Sequence, residues 1–596
     1  MLLGKYINKY YLKYIIYLII GIVSLVVVDY WGLLIPEYLG EIIDLFNEDT
    51  ALEFSMISGI IGNLFWIAVL SFFGRIIWRY TIFHASTKIE SSLRHEMFLK
   101  SERLSQKYYH ENKVGTVMAW FSTDLETIEE YLGWGTIMIV DAVFLSILSM
   151  YKMIKMDIFL SIITILPMII VVILGAWVEK EMGERWEYRQ KQYDHLYDFS
   201  QENFSGIRVI KAFVKEIQEI KAFKKIAKDN QDANLKFVKV TILFDILITL
   251  IVSIVMALLV GVGGYFVYRY AINNPVILFS NPVMLKPGNL VTFIGYFEEL
   301  IWPMIALGQL VSMYSRSTTS LKRVTDFLDQ DEDIKDKDDA VILDDVKGKI
   351  TFKNYHFTYP TSSSLTLKNI NIDILPGESI GVVGKIGSGK TTLVNALLRL
   401  YNVEEKTLFI DDTDIMDINI QNLRSHIAYV PQDNFLFSDS VKNNIAFYDQ
   451  DSSDEDIEKA AKFADVHENI INFTDGYNTI TGERGVSLSG GQKQRISIAR
   501  AYIKDAPIMI LDDSVSAVDI KTEETILKNI KEQRKDKTTI VIASRVSTVS
   551  SLDRILVLKD GCVEAFDTHE NLLNISPTYA KMVYLQALER EVNNNA

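Results

Sequence analysis

Six apolar stretches, each long enough to cross a bilayer as a helix, dominate the first half of this chain. They run roughly over 14–36, 57–83, 132–154, 158–178, 241–270 and 289–314. A hydrocarbon core of about 30 Å takes roughly 20 apolar residues in helical form. Backbone in lipid must satisfy its own hydrogen bonds, which leaves helices as the economical solution. The predicted architecture up to Leu328 is therefore a six-helix membrane domain. Hydrophobic residues make up 49% of the chain, and nearly all the long apolar runs precede Leu328, so the remainder reads as a water-exposed α/β domain.

Charge placement orients the spans. Lys5, Lys9 and Lys13 precede the first, and the long segments 85–131 and 179–240 carry many Lys and Arg. Both segments read as cytosolic by the positive-inside rule. They are helical in pattern, so the spans are expected to continue past the bilayer as levers. Asn47-Glu48-Asp49-Thr50 has no basic residue and reads as external, while Lys152 and Lys155 in the 3–4 connection are a mild exception. An even number of spans puts both termini in the cytoplasm. The apolar run after the basic start is too long for a cleaved signal peptide. The loop Asn273 to Gly288 is longer than a minimal turn and is expected to form an external feature.

Asp29, Arg75, Arg79, Asp141, Asp245, Glu298 and Glu299 fall inside the spans. Ionisable groups are costly there and face a cavity or a partner charge. Two readings stay open. Asp141, Asp245 or Glu298 attracts a cationic substrate, or the acids pair internally with Arg75 or Arg79. Pro36, Pro167 and Pro303 are candidate kinks.

From Asp329 the chain becomes strongly charged, and 329–348 reads as a solvated linker between a membrane domain, 1–328, and a soluble domain, 349–596. A net charge of −15 argues against a nucleic-acid partner. The lone cysteine, Cys562, excludes an internal disulfide and reads as a buried or half-buried strand residue.

Ile380 to Val383 is an apolar strand that feeds Gly384-Lys385-Ile386-Gly387-Ser388-Gly389-Lys390-Thr391, and a helix begins near Thr391-Thr392-Leu393. Strand, glycine loop and helix in this order make a phosphate cradle. Glycines let backbone N–H groups approach phosphates, and the helix N-terminus favours their charge. Lys390 then reaches the terminal phosphates of ATP, and the Thr391 hydroxyl ligates Mg²⁺. A second apolar strand, Ile508 to Leu511, ends in Asp512, a carboxylate placed to hold the Mg²⁺ shell. Between them lies Leu488-Ser489-Gly490-Gly491-Gln492, followed by Arg495, another hydroxyl-and-amide anion site at a helix start.

These motifs resemble an ATP-binding-cassette (ABC) exporter half-transporter, and the resemblance covers nearly the whole chain. It implies the type IV exporter fold: a six-span transmembrane domain followed by an α/β P-loop nucleotide-binding domain. By similarity, Tyr359 stacks on adenine, and Gln432 touches Mg²⁺ and senses the membrane domain. Glu483-Arg484-Gly485 is similar to the loop that meets the coupling helices. Ser516-Ala517-Val518-Asp519 is similar to the loop joining two ATP sites. Tyr109 to Gly115 and Glu202 to Lys211 resemble the two coupling regions; His110 itself reads as a capping or surface histidine.

The resemblance implies two nucleotide domains head to tail, each ATP held by one subunit's glycine loop and the other's Ser489–Gln492 segment. Against that pattern Asp513 stands where the family has a glutamate base, and Ser544 where it has a switch histidine. Aspartate is one methylene shorter, so its carboxylate falls about 1–1.5 Å short, and a misplacement of about 1 Å can cost about 100-fold. Serine offers no polarised imidazole N–H. The expectation is a heterodimeric multidrug-type pump in a bacterial plasma membrane. This chain's own site would be degenerate, and its intact Ser489–Gln492 would complete a partner's hydrolytic site. The partner is expected to hold the glutamate and histidine and an altered serine-glycine segment. The alternatives are a slow homodimer and a nucleotide-gated regulator. Fold does not choose the substrate; the acids in the spans lean toward amphiphilic cations.

Overall fold

The computed structural model describes residues 4–47, 54–274, 276–278, 281–283, 285–360, 362, 364–482, 485, 488–515 and 518–595. Glu48, Asp49 and Thr50, and the motif residues Glu483, Arg484, Ser516 and Ala517, lie outside them. The chain divides into two units. One comprises Met1–Glu102 with Lys113–Gln330, and the other Arg103–Asn112 with Asp331–Ala596.

In the first unit, six helices among the described residues are long and apolar enough to cross a membrane. They overshoot that requirement. Glu216–Ala271 has 56 residues, about 84 Å at 1.5 Å per residue, against a hydrocarbon thickness near 30 Å. Pro36, Pro167 and Pro303 each sit inside a helix that continues past them. The break in helical geometry within Lys5–Asn47 is instead at Tyr14 (φ −109°, ψ 15°). Close backbone approach between the first and sixth spans needs glycine: a Cβ on Gly288 would lie 2.1 Å from the Gly40 carbonyl oxygen. In the stretch after Ala271, Val276–Leu278 pairs antiparallel with Asn281–Val283.

The helical stretch that carries the third span, Val114–Met156, is irregular in a way its composition does not signal. It contains three π-helical turns, Trp120–Asp124, Tyr131–Gly135 and Asp141–Leu145. A π-turn inserts one residue and re-aims the side chains around it. Asp124 and Asp141 both turn toward the sixth-span helix. Buried Asp124 accepts from Arg323 Nε at 2.7 Å and Ser320 Oγ at 2.8 Å. Asp141 accepts from Trp302 Nε1 at 2.9 Å. Asp141 thus takes a hydrogen bond from an indole and is within hydrogen-bonding reach of Asp29, while Arg75 lies in electrostatic reach of Asp29 and Glu299. The Arg79 guanidinium sits over the Trp78 ring. Asp245 is exposed and lines a shallow groove with Ile242 and Thr249.

The second unit is built on a six-stranded sheet. Its strand order is Cys562–Asp567, Arg554–Lys559, Ser379–Gly384, Thr538–Ile542, Ile508–Asp512, Ile427–Val430. The first pair is antiparallel and the rest parallel. Ile508–Asp512 and Thr538–Ile542 are buried along their whole length, which is why they read as unbroken apolar runs. Alternate residues feed two cores. Ile380, Val382, Ile508 and Ile510 face one, together with Leu393, Val394 and Leu397 of the helix Lys390–Leu397. Val383, Met509 and Leu511 face the other, together with Ile496, Ile498 and Ala499 of Gly490–Ile503. An antiparallel sheet of Leu367–Ile374, Ile350–Phe357, Leu408–Ile410 and Thr413–Asp414 joins the first core.

Two sequence expectations change here. Cys562 is in a strand but exposed, because that strand is the sheet edge and the cysteine opens it. The charged stretch after Asp329 is tied down rather than simply solvated. Lys337 pairs with Asp417 and Glu405, each at 2.7 Å, and Asp336 accepts from Ile420 N at 2.7 Å. These partners lie some 70–85 residues onward, beyond the reach of local pattern.

Candidate functional site

The parallel register brings three strand ends level. Ile542 is opposite both Val382 and Asp512, so the strand Thr538–Ile542 lies between the one that feeds the glycine loop and the one that ends in Asp512. Ligands of parallel α/β sheets bind beyond such carboxyl ends. Ser544 therefore emerges between the glycine loop and the Asp512-Asp513 pair.

The loop itself is shaped by glycine. Gly387 and Gly389 have φ of +82° and +97°, a region L side chains avoid. A Cβ on Gly387 would meet nothing within 4 Å, so its backbone stands open to a ligand. Lys390 caps the turn, donating from Nζ to the Gly384 and Lys385 carbonyls at 2.9 and 3.1 Å. Burial draws its ammonium pKa below the usual lysine range, against the opposing charges of Asp513 and Asp512.

Thr391 Oγ1 donates to Asp512 Oδ1 at 3.4 Å. Asp512 is 1% exposed; the Tyr429 hydroxyl lies near its carboxylate, but no hydrogen bond of ordinary geometry reaches its Oδ2. Burial pushes its carboxyl above the ordinary aspartate range; Thr391 pulls it back, and Asp513 adds to the rise. Ser388 Oγ is likewise buried without a partner. A hydroxyl and an undercoordinated carboxylate are the hard oxygen donors that suit Mg²⁺, so Thr391 and Asp512 fit that ion. Asp513 takes a left-handed conformation, φ +48°, which aspartate tolerates better than most residues. Ser544 Oγ stands 3.5 Å from Asp513 Oδ1. The two residues singled out as departures thus face each other.

Tyr359 lies beside the same helix, its hydroxyl 3.0 Å from Thr392 Oγ1. Its ring is edge-on to Tyr401 at 5.4 Å. Tyr401 in turn shares a 3.2 Å hydrogen bond with His110 Nδ1, on the short helix Gln106–Glu111. His110 is exposed as expected, yet it is also tied to the ring beside Tyr359. Gln432 follows the strand Ile427–Val430, next to Ile508–Asp512, and is exposed at the same sheet end.

Ser489 to Gln492 stand at the start of a different helix, Gly490–Ile503. Ser489 caps Gly490–Ile503 in a reciprocal box: Gln492 N donates to Ser489 Oγ at 3.3 Å, and Ser489 N donates to Gln492 Oε1 at 2.9 Å. A Cβ on Gly490 would meet nothing within 4 Å. This helix packs on the sheet face opposite to Lys390–Leu397.

The chain matches the family model "ABC transporter transmembrane region" over residues 18–304 and "ABC transporter" over residues 367–516. It is 34% identical over 594 residues to the probable multidrug resistance ABC transporter ATP-binding/permease protein YheI of Bacillus subtilis, covering 98% of this chain and 97% of that one. This chain belongs to the ABC transporter family, among its exporters. The exporter is also 30% identical over 577 residues to the multidrug resistance-like ATP-binding protein MdlA of Escherichia coli, covering 96% and 95%. In fold it resembles a solved bacterial Atm1-family ABC exporter with ATP bound, with TM-score 0.80 and 24% identity over 96% of this chain and 99% of the other. It is a multi-span membrane ATPase that couples hydrolysis to transport.

One residue of the site carries no motif. Gln586, on the C-terminal helix Pro577–Asn595, bonds both sides of the Ser544 loop. It lies 42 residues from Ser544, and no local spacing could have identified it.

Proposed function

We propose that this exporter is one subunit of a heterodimeric pump that moves hydrophobic or amphiphilic compounds out across a bacterial plasma membrane, with both termini cytoplasmic. In this reading ATP lies over Gly384, Gly387, Ser388 and Gly389, with Tyr359 against adenine, Lys390 and Thr392 at the phosphates, and Thr391, Asp512 and Gln432 around Mg²⁺. Ser489, Gly490, Gly491 and Gln492 face the partner's nucleotide. ATP closes the paired domains, the coupling segments turn the spans outward, and hydrolysis at the partner's site resets them.

The observation that carries the asymmetry is the 3.5 Å approach of Ser544 to Asp513. A short carboxylate that borders a serine hydroxyl lacks both the reach of a glutamate and the charge stabilisation of an imidazole. The packing of Gly490–Ile503 and Lys390–Leu397 on opposite sheet faces supports a site shared between chains. Relatives described as multidrug proteins support the substrate class, and Asp141, among the buried polar residues of the spans, supports its cationic lean.

The test is ATP turnover and vesicle transport by the purified chain, alone and with a candidate second half-transporter from the same organism. Alone, it should bind ATP and hydrolyse it at least about 100-fold more slowly than the pair, and Asp513→Glu with Ser544→His should raise the lone rate. Brisk turnover with transport by the unaltered chain alone would sink the reading.

A further inference from the structure

We propose that Gln586 is a positioning residue of this chain's ATP site. Its carboxamide pins the Ser544 loop and thereby sets how long a nucleoside triphosphate stays bound. The inference rests on the reading above in one respect, that Ser544 and Asp513 face the terminal phosphate.

The geometry is specific. Gln586 Oε1 accepts from Val546 N at 2.8 Å, while Gln586 Nε2 donates to the Ser544 carbonyl at 3.1 Å. One side chain thus satisfies a backbone donor and a backbone acceptor on either side of Arg545. A carboxamide does both, whereas a carboxylate could only accept and an ammonium only donate. The pinned loop carries the Ser544 hydroxyl that stands 3.5 Å from Asp513. Asp513 follows Asp512, and Asp512 accepts from Thr391 at 3.4 Å. A continuous set of contacts therefore runs from the C-terminal helix to the Mg²⁺ ligands.

The arm that holds Gln586 is itself anchored. Glu564, on the sheet's edge strand, accepts from Ser576 Oγ at 2.6 Å, Thr578 N at 3.0 Å and Thr578 Oγ1 at 2.6 Å. Tyr579 is fully buried, with its hydroxyl 2.7 Å from His569 Nδ1. Gln586 comes two helical turns later, about 10 Å along the axis, so the arm starts from a fixed root. The Ser544 loop is thus held by a side chain reaching back from the C-terminal helix.

The experiment measures dissociation of trinitrophenyl-ATP and trinitrophenyl-ADP, each with Mg²⁺, from the purified full-length chain after a chase with excess ATP. Gln586→Leu keeps the volume and removes both bonds. It should speed triphosphate release about five- to ten-fold, the loss expected for one or two ordinary hydrogen bonds, and leave diphosphate release within about twofold. Gln586→Glu keeps the Val546 bond and should fall between. A merely structural role would change both nucleotides alike, or lower the thermal midpoint without favouring either. Equal effects on the two nucleotides, or an unchanged triphosphate rate in Gln586→Leu, overturn the proposal. If that variant does not fold, an unaltered rate in Gln586→Glu overturns it. The assay needs no hydrolysis, so failure of Asp513→Glu with Ser544→His to raise turnover would count against the impaired-site reading alone.

Discussion

At the scale of the residue, the ATP site is a set of close approaches that tolerate little. Gly384 ends the strand that launches the loop, and a Cβ there would lie 2.4 Å from the Leu558 carbonyl oxygen and 2.6 Å from Ser388 Oγ. The carbonyl belongs to the neighbouring strand and cannot swing aside. Gly384→Ala should therefore destabilise the nucleotide domain by about 1–3 kcal/mol, read as a lower thermal midpoint together with weaker ATP binding. The eight-residue loop and the aspartate after an apolar run were legible because each is local. What Asp513 and Ser544 do to each other was not, since they follow the ends of different strands.

At the scale of the element, the C-terminal helix depends on Glu564. Burial alone would raise this carboxyl, but hydrogen bonds from Ser576, the Thr578 side chain and the Thr578 N–H, with Lys559 beyond them, outweigh it and bring its pKa down to about 2. A carboxylate with a depressed folded pKa adds stability that is complete above its unfolded pKa, 4.5 for glutamate. That stability disappears as pH falls through the folded value. The helix should thus loosen between about pH 4.5 and 2. Glu564→Gln should remove most of that acid dependence and lower stability at neutral pH by about 1–3 kcal/mol. Melting of the two proteins across pH measures both. Elements marked by an unbroken apolar run, such as the six long helices and the buried strands, were readable from sequence. The π-turns of the third span were not, because an inserted residue leaves composition and hydropathy unchanged.

At the scale of the whole molecule, orientation has a simple probe. The chain has one cysteine, and Cys562 is exposed on the nucleotide-binding unit. A membrane-impermeant maleimide should label it in inverted vesicles and leave it unlabelled in intact cells; the reverse pattern would place the termini outside. The sequence by itself determined that this chain carries membrane spans and an ABC nucleotide-binding domain, and it raised the expectation that Asp513 and Ser544 depart from the family pattern, because apolar run length, glycine spacing and residue identity act over a few neighbouring positions. Only the tertiary structure decided that Ser544 closes against Asp513 and that Gln586 reaches back to hold that loop. It also decided that the Ser489 helix and the Lys390 helix take opposite faces of one sheet. Those facts depend on strand order and register, which bring together residues that no interval along the chain relates.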